Sequence, residues 1–330
     1  MIRFGIIGTN WITDSFIKAA SELQDFKLSA VYSRTQDRAI EFASKYGVEL
    51  TYTSLEEMAK SNEIDAVYIA SPNSYHAEQA ILFMENKKHV LCEKPIASNT
   101  PELKKMIEVA KENDVLLMEA LKTTFLPNFQ AIKNNLHKVG AVRRYFASFC
   151  QYSSRYDSYK EGTILNAFKP EFSNGALMDI GIYCLYPLVT LFGKPKEVKA
   201  NGYILESGVD AEGTLLLKYE DREAVMIFSK ITNSYISSEI QGEEGNIVFD
   251  KLNPPEKVNI RYRDGRVEDI SEEQTKHPMY YETKEFIELV KAGKRESSIN
   301  TFENSLITME IMDEARKQMG VVFPSDKRVN

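Results

Sequence analysis

The chain has 330 residues, of which 43% are hydrophobic and 27% are charged, so it is long enough for two domains and has an ordinary globular composition. Its net charge of −7 and pI near 5.4 provide no general attraction to nucleic acid or to an anionic membrane, and we expect neither as a partner. No apolar run approaches the roughly 18 residues needed to span a bilayer. The three scattered cysteines favour a reducing, cytoplasmic location and argue against a metal site.

The first 120 residues alternate short apolar runs with amphipathic segments. The predicted strands are 2–8, 27–33, 65–71, 88–94 and 115–120. The predicted helices between them include 35–47, 54–61 and 98–114; the last has Thr100 as its N-cap and Pro101 at its first helical position. This alternation predicts an α/β Rossmann domain with a doubly wound parallel sheet over residues 1–120.

The pattern changes after about residue 140, where strands joined by tight turns alternate polar with apolar residues. The predicted strands lie within 142–152, 197–205, 212–221, 223–230, 237–250 and 257–270. Such alternation is typical of antiparallel sheets with one face on a core. Residues 121–330 are therefore predicted to form an α+β domain with a large, mostly antiparallel sheet. It ends in helices at about 279–292 and 302–319, the second of which can pack back on the first domain.

The loop after the first strand resembles a dinucleotide-binding turn. Counted from Gly8, the second and third positions of the G-x-G-x-x-G pattern fall on Asn10 and Thr13. Asparagine tolerates a left-handed turn, so we expect Asn10 to keep the glycine's turn and to place its amide beside a pyrophosphate. The predicted cofactor contacts here are Gly8, Thr9, Asn10, Trp11 and Ile12; the alternative is a plain strand-to-helix turn.

The end of the second strand points to the phosphorylated cofactor. An NAD site has an acid about 20 residues beyond the glycines, whereas an arginine there accommodates a 2′-phosphate. This chain has Ser33 and Arg34 at that place and no carboxylate between residues 28 and 36. The pattern favours NADP, with NAD possible; the alternative is a solvated arginine at a strand end.

Two further motifs follow strands whose carboxyl ends border the ligand crevice of such sheets. The first places Ser71, Pro72 and Asn73 there, with His76 in the next helical turn. The second places Glu93 and Lys94, where an ammonium group can polarise a carbonyl oxygen. All are candidate cofactor contacts; the alternatives are an exposed or capping histidine and a solvated Glu–Lys pair.

The segment 173–193 is apolar almost all round, as a buried helix is. Asp179 and Tyr183 lie four residues apart on one face of it, and Gly181 indicates that something packs closely there. A carboxylate is rarely buried without a partner, so a cavity or a cation is expected to face Asp179. The alternative pairs Asp179 with an arginine and makes Tyr183 ordinary core.

Four features of the sequence together resemble the Gfo/Idh/MocA oxidoreductases. They are the glycine loop, the Glu-Lys-Pro-Ile-Ala run at 93–97, the Asp-x-Gly-x-Tyr of the buried helix and the closing residues 305–324. The resemblance covers nearly the whole chain, and its Ser-Arg pair and Tyr183 are most similar to the NADP-using branch with glucose–fructose oxidoreductase and the dimeric dihydrodiol dehydrogenases. It implies that Lys94 is the catalytic lysine, that Tyr183 is the acid/base and that Asp179 orients the substrate or the tyrosine. It also implies a homodimer or a dimer of dimers that pairs through the second sheet.

Some positions depart from the family pattern. Thr124 stands where relatives usually have an arginine, and Lys122, two residues earlier, is a candidate replacement for that cation. The candidate substrate contacts are Lys122, Arg155, Asp179 and Tyr183. Asn174 replaces the first of two glycines before the buried helix. These departures concern the substrate half and leave the cofactor half intact.

The resulting prediction is an NADP-dependent oxidoreductase that transfers hydride between nicotinamide and a hydroxyl or carbonyl carbon of a sugar, polyol or cyclic diol. One alternative is a non-catalytic NADP-binding regulator, which would not need Lys94, Asp179 and Tyr183 together. Another is a redox-neutral NAD-dependent glycosidase, which Arg34 disfavours.

Overall fold

The computed structural model describes residues 1–327, whose strands form two separate sheets. The strands are β1 (Ile2–Ile7), β2 (Phe26–Tyr32), β3 (Leu50–Tyr52), β4 (Ala66–Ile69), β5 (His89–Glu93), β6 (Leu117–Ala120), β7 (Val142–Cys150), β8 (Glu197–Ile204), β9 (Asp210–Lys218), β10 (Glu223–Ser229), β11 (Ser238–Gly242), β12 (Gly245–Phe249), β13 (Val258–Tyr262) and β14 (Val267–Asp269). The α-helices are α1 (Trp11–Ala20), α2 (Gln36–Ser44), α3 (Leu55–Lys60), α4 (His76–Glu85), α5 (Thr100–Asn113), α6 (Pro127–Asn135), α7 (Ser154–Lys160), α8 (Ile182–Phe192), α9 (Pro278–Lys291) and α10 (Phe302–Met319).

The first unit is built on a six-stranded parallel sheet in the order β3-β2-β1-β4-β5-β6, the arrangement of a Rossmann domain. Strands β4, β5 and β6 are buried along almost their whole length, as their continuous apolar runs predict. The three-residue strand β3 was not predicted because it is too short to show a period. Helix α5 has Asn99 as its N-cap, not Thr100 as expected: the Asn99 side chain accepts a hydrogen bond of 3.0 Å from the Glu102 N–H.

This unit comprises residues 1–122 and 276–302, so the chain returns to it after the second unit has been built. This return differs from the predicted division, in which all of 121–330 belongs to the second domain. The return segment carries α9, which packs against α1; the Phe286 ring lies 5.6 Å from that of Phe4 in β1. Asn300 then donates from its side chain to the carbonyl oxygens of Glu119 and Leu121, at 3.0 and 3.2 Å. Aromatic burial and buried hydrogen bonds thus assign these residues to the first unit.

The second unit comprises 123–275 and the described residues from 303 onward. Its eight-stranded sheet has the order β14-β13-β12-β11-β7-β10-β9-β8 and is antiparallel except for the β7–β10 pair. The buried helix α8 lies against one face, where Tyr145 of β7 donates to the Cys184 carbonyl at 3.1 Å. Helix α10 also belongs to this unit, in which its Ser305 hydroxyl lies 3.1 Å from that of Tyr186.

The segment Pro170–Phe192 is long and apolar enough to cross a membrane by length and composition alone. This corrects the expectation that no run approaches that length. Because 72% of its most apolar window is buried inside the protein, the segment has the environment of a core helix.

Candidate functional site

The glycine loop joins β1 to α1 with the chain reversal that only a glycine accommodates. Gly8 has φ +107°, and a Cβ atom at this position would lie 2.6 Å from the Ala70 carbonyl oxygen. Thr13, at the third position of the pattern, is buried and donates to the Gly8 carbonyl at 2.9 Å. The loop therefore lies close against the residue that follows β4, and a threonine in place of the third glycine closes the loop onto Gly8.

Asn10 does not adopt the predicted turn. Its φ of −114° and ψ of 178° are extended, and its side chain is the N-cap of α1. The side-chain oxygen accepts from the N–H groups of Ile12 and Thr13 at 3.0 and 3.4 Å, while the amide donates to the Ala70 carbonyl at 3.0 Å. The expectation that Asn10 keeps the glycine's left-handed turn was wrong, because capping takes precedence at a helix start.

The remaining loop residues differ in exposure. Trp11 is 67% exposed at the first position of α1. Thr9 is held by Arg38 of α2, whose guanidinium donates to the Thr9 carbonyl at 2.7 Å and to its hydroxyl at 3.2 Å. Arg38 was not among the predicted residues, although it lies in the first turn of α2, close after Arg34 in the sequence.

Arg34 follows β2 and is exposed, and among residues 1–327 its side chain has no hydrogen bond or ion pair. Ser33 is partly buried and its N–H donates to the Tyr52 carbonyl of β3 at 3.1 Å. A guanidinium without a protein partner can form a bidentate pair with a phosphate.

His76 links the two motifs at the ends of β4 and β5. Its ring is 1% exposed, with Nδ1 at 2.9 Å from the Pro95 carbonyl oxygen and Nε2 at 2.9 Å from that of Ser71. Burial lowers the pKa of His76, with the Lys94 charge adding to the effect. A neutral ring donates only one of these two bonds. The side chain thus bridges protein segments. Nearby, Ser71 donates to Gln79 at 2.7 Å, and Pro72 and Asn73 form the half-buried turn before α4.

The two charged side chains of the Glu-Lys-Pro motif differ in exposure. Glu93 is 9% exposed and accepts a 2.5 Å hydrogen bond from the Tyr68 hydroxyl. Lys94 is half-buried, and its peptide bond to Pro95 is cis. The turn that follows is fixed by Glu119 of β6, whose carboxylate accepts from the Ile96 N–H at 3.1 Å.

The two other candidate cations, Lys122 and Arg155, and the neighbouring Thr124 have distinct settings. Burial raises the pKa of both Glu93 and Glu282, and the charge of half-buried Lys122, in the same unit, opposes that rise. Thr124 is fully buried in the second unit, where its carbonyl accepts from Gln130 at 2.7 Å. Arg155 is exposed in α7, and among the described residues its guanidinium has no ion pair.

The predicted buried helix begins with a π-helical turn, Leu177–Gly181, that precedes α8. Asp179 lies in this turn and forms an ion pair with Lys230, whose side chain is 5% exposed. The cation facing Asp179 is thus a lysine and not the arginine of the alternative. Tyr183 is 8% exposed, and its ring centroid is 5.8 Å from that of Phe149. π-Helical turns inside α-helices are frequent at functional sites.

A second aspartate fixes the start of this helix. Asp210 of β9 is fully buried, and its carboxylate accepts a 2.6 Å hydrogen bond from the Leu177 N–H. Burial raises the pKa of Asp210 to about 6. A Cβ atom on residue 175 would lie 2.1 Å from the Oδ1 atom of Asp210, so only a glycine fits at Gly175. Phe228 packs against Gly181, where a Cβ would be 3.1 Å from the ring, as the sequence had suggested.

Two family models match the chain: "Oxidoreductase family, NAD-binding Rossmann fold" at residues 2–121 and "GFO/IDH/MocA C-terminal domain" at residues 132–248. The chain is 61% identical to scyllo-inositol 2-dehydrogenase (NADP(+)) of Bacillus subtilis, over 99% of this chain and 100% of that protein. It is 33% identical to trans-1,2-dihydrobenzene-1,2-diol dehydrogenase of Danio rerio, over 99% of each.

Solved structures share the fold at lower identity. A 3-ketoreductase from Actinomadura kijaniata, crystallised with NADP and TDP-benzene, has a TM-score of 0.85 at 24% identity, covering 96% of this chain and 98% of that one. An aldose–aldose oxidoreductase from Caulobacter crescentus has a TM-score of 0.85 at 19% identity, covering 96% and 97%.

Proposed function

Because the chain belongs to the GFO/IDH/MocA oxidoreductase family, we propose that it is an NADP-dependent dehydrogenase whose substrate is scyllo-inositol or a closely similar cyclitol. The observation that carries this proposal is the 61% identity, over essentially both whole chains, to an enzyme with that activity. The predicted family, the fold class and the assignment as an NADP-dependent oxidoreductase of hydroxyl-bearing carbons are confirmed. The regulator and glycosidase alternatives have no such support.

The first unit fits a dinucleotide. Gly8 brings its backbone to the end of β4 without a side chain in the way, and the N-terminus of α1 presents a positive dipole end. The Asn10 cap uses the N–H groups of Ile12 and Thr13, so the rest of the loop at 8–11 is left for the pyrophosphate. Arg34 is free among the described residues to pair with a 2′-phosphate, and Arg38 holds the loop beside it.

We assign to the residues of this chain the transfer of one proton to or from the substrate oxygen. When bound, the nicotinamide supplies the hydride donor and acceptor. Tyr183 exchanges the proton of the substrate oxygen as the acid/base, and the Lys94 ammonium stabilises negative charge on that oxygen. Asp179, held by Lys230, orients the reacting hydroxyl or the tyrosine. Arg155 and Lys122 were the other predicted substrate contacts; Arg155 remains a candidate through its exposed guanidinium.

The purified protein tests the proposal when it is incubated with NADP or NAD and a panel of scyllo-inositol, myo-inositol, glucose and a cyclic diol. We expect NADPH to form, with the highest kcat/KM on a cyclitol and a preference for NADP over NAD. Binding of NADP without turnover of any panel member would support the regulator, and a cofactor that never changes its net redox state would support the glycosidase.

We also propose a homodimer that pairs through the open face of the second sheet. Phe146, Val225 and Leu216 form one cross-strand row on that face, and Leu216 is 49% exposed. Exposed apolar rows of this kind mark interfaces. Val225→Asp should yield a monomer by analytical ultracentrifugation, whereas Val267→Asp on the edge strand should stay dimeric. A monomeric wild type, or a dimeric Val225→Asp, would overturn this assignment. A cytoplasmic location is proposed on the basis of Cys92, Cys150 and Cys184, which are all unpaired thiols.

A further inference from the structure

A second buried carboxylate of the first unit interacts electrostatically with Glu93 of the Glu-Lys-Pro motif. Glu282 of α9 is 1% exposed, and neither of its carboxylate oxygens has a hydrogen-bond partner in the described chain. A buried carboxylate that is ionised and unpaired is strongly disfavoured. The state of this side chain therefore depends on the charges around it.

The Glu93 charge acts on Glu282, and Glu93 itself has hydrogen-bond donors. Its Oε1 accepts the 2.5 Å hydrogen bond from Tyr68, and its Oε2 accepts from the Lys94 N–H at 3.3 Å. Burial raises the pKa of Glu93, while the Tyr68 hydrogen bond and the Lys94 and Lys122 charges favour its ionised form. Burial of Tyr68 keeps its pKa well above the usual value, so its hydroxyl remains a donor.

Glu282 has none of these donors. Burial raises the pKa of Glu282 well above its usual value, the Glu93 charge raises it further, and only Lys122 opposes them. Two carboxylates that share a buried site do not both ionise, and the proton goes to the one whose charge is less well solvated. Hydrogen bonding decides between the two, because Glu93 accepts two bonds and Glu282 accepts none.

We propose that Glu282 is a positioning residue that carries one proton at neutral pH and so allows Glu93 to remain a carboxylate beside Lys94. This proposal rests on the role proposed above for Lys94. The pair then carries a single negative charge, which Lys122 offsets. In this arrangement Lys122 serves the interior of the first unit as a counter-ion, which differs from the substrate contact expected from the sequence.

An ionised Glu93 fixes the backbone at the carboxyl end of β5, where Lys94 follows. Ionised Glu93 accepts from both Tyr68 and the Lys94 backbone, which holds the peptide that bears the lysine. The Tyr68 ring is stacked on Phe16 of α1 with 3.8 Å between centroids, so the same cluster reaches the helix that follows the glycine loop. A second negative charge on Glu282 would repel Glu93 and loosen this arrangement.

Infrared spectroscopy tests the proton's location directly. At pH 7 the wild type should show a protonated-carboxyl carbonyl band that is absent from Glu282→Gln and present in Glu93→Gln. Glu288→Gln, an exposed glutamate on the same helix, serves as the matched control and should keep the band. Asp210, also buried, has a pKa of about 6 and is mostly ionised at pH 7; its small contribution is the same in all four proteins and cancels in difference spectra. Loss of the band in Glu93→Gln with retention in Glu282→Gln, or its retention in all variants, would overturn the proposal.

A comparison of two substitutions at Glu282 separates a positioning role from a packing role. Glu282→Ala should lower kcat about tenfold, the effect of roughly one pKa unit of lost interaction, and Glu282→Gln, which mimics the neutral acid, should restore most of it. A Glu282→Gln variant as impaired as Glu282→Ala would show that a charge is required and contradict the proposal. The infrared result does not depend on turnover, so it stands or falls separately from the dehydrogenase activity.

Discussion

Asp210 provides a quantitative prediction of how stability depends on pH. The side chain is fully buried, and its pKa of about 6 lies well above the usual value of 3.8. Between about pH 4 and pH 6 the folded protein keeps a proton that the unfolded chain has already released. Stability therefore falls as the pH rises through this window, because the folded state binds more protons than the unfolded state.

The magnitude follows from the separation of the two pKa values. A separation of about two units, at roughly 1.4 kcal/mol each, corresponds to about 3 kcal/mol of stability lost between pH 4 and pH 7. Asp210→Asn removes the titration and keeps an oxygen that can accept from the Leu177 N–H. Relative to the wild type, the variant should gain about 3 kcal/mol over that pH range.

Urea unfolding at a series of pH values measures this difference, because other titrating groups cancel between the two proteins. Asp157→Asn is the matched control: Tyr152 and Lys160 hold the pKa of exposed Asp157 below its usual value, so its contribution is lost on acidification instead. If the stability difference between wild type and Asp210→Asn is constant from pH 4 to pH 8, the assignment of a buried, titrating Asp210 is refuted.

Three further changes test the cofactor loop, the cofactor specificity and the buried ion pair. Gly8→Ala strains a backbone with φ +107° and places a methyl group 2.6 Å from the Ala70 carbonyl oxygen. We expect the NADP affinity, measured by calorimetry, to fall at least about tenfold, the effect of roughly 1–3 kcal/mol of strain. Unchanged affinity would contradict the loop assignment. Arg34→Ser should lower the NADP-to-NAD ratio of kcat/KM by about 10–100-fold, since charged hydrogen bonds contribute about 1.5–3 kcal/mol, whereas an unaltered ratio would exclude Arg34 from the phosphate site. Lys230→Met removes the cation that pairs with Asp179 and should lower kcat about tenfold or more. This effect is smaller than the full cost of breaking a buried ion pair, because the Asp179 side chain is 35% exposed. Lys230→Arg should retain most activity, and equal kinetics for the wild type and both variants would show that the pair does not position Asp179.

The fold was largely predictable because its evidence is local. Apolar runs, turn residues and helix caps indicate each strand and helix from a few neighbouring residues, and the parallel Rossmann sheet follows from their alternation. The return of residues 276–302 to the first unit was not predictable in this way. It depends on Phe286 meeting Phe4 and on Asn300 meeting Glu119, which lie far apart in the sequence.

The candidate site shows the same division. Gly8 was identified from its position after a strand, but the cap formed by Asn10 requires Ala70 as its partner, 60 residues away. Asp179 was singled out because a carboxylate stood in an apolar helix, yet nothing near it in the sequence pointed to Lys230 or to the Asp210 cap. Glu282 lies in a helix with ordinary spacing, and only its burial beside Glu93 distinguishes it.

The central claim is that Lys94 and Tyr183 carry the proton chemistry of an NADP-dependent cyclitol dehydrogenase. Steady-state NADPH formation from scyllo-inositol by the wild type, Lys94→Ala and Tyr183→Phe tests it most directly. We expect turnover by the wild type and a loss in kcat of about 10²-fold or more in each variant, the usual contribution of a general acid–base residue. Near-normal kcat in both variants, with the wild type active, would contradict it.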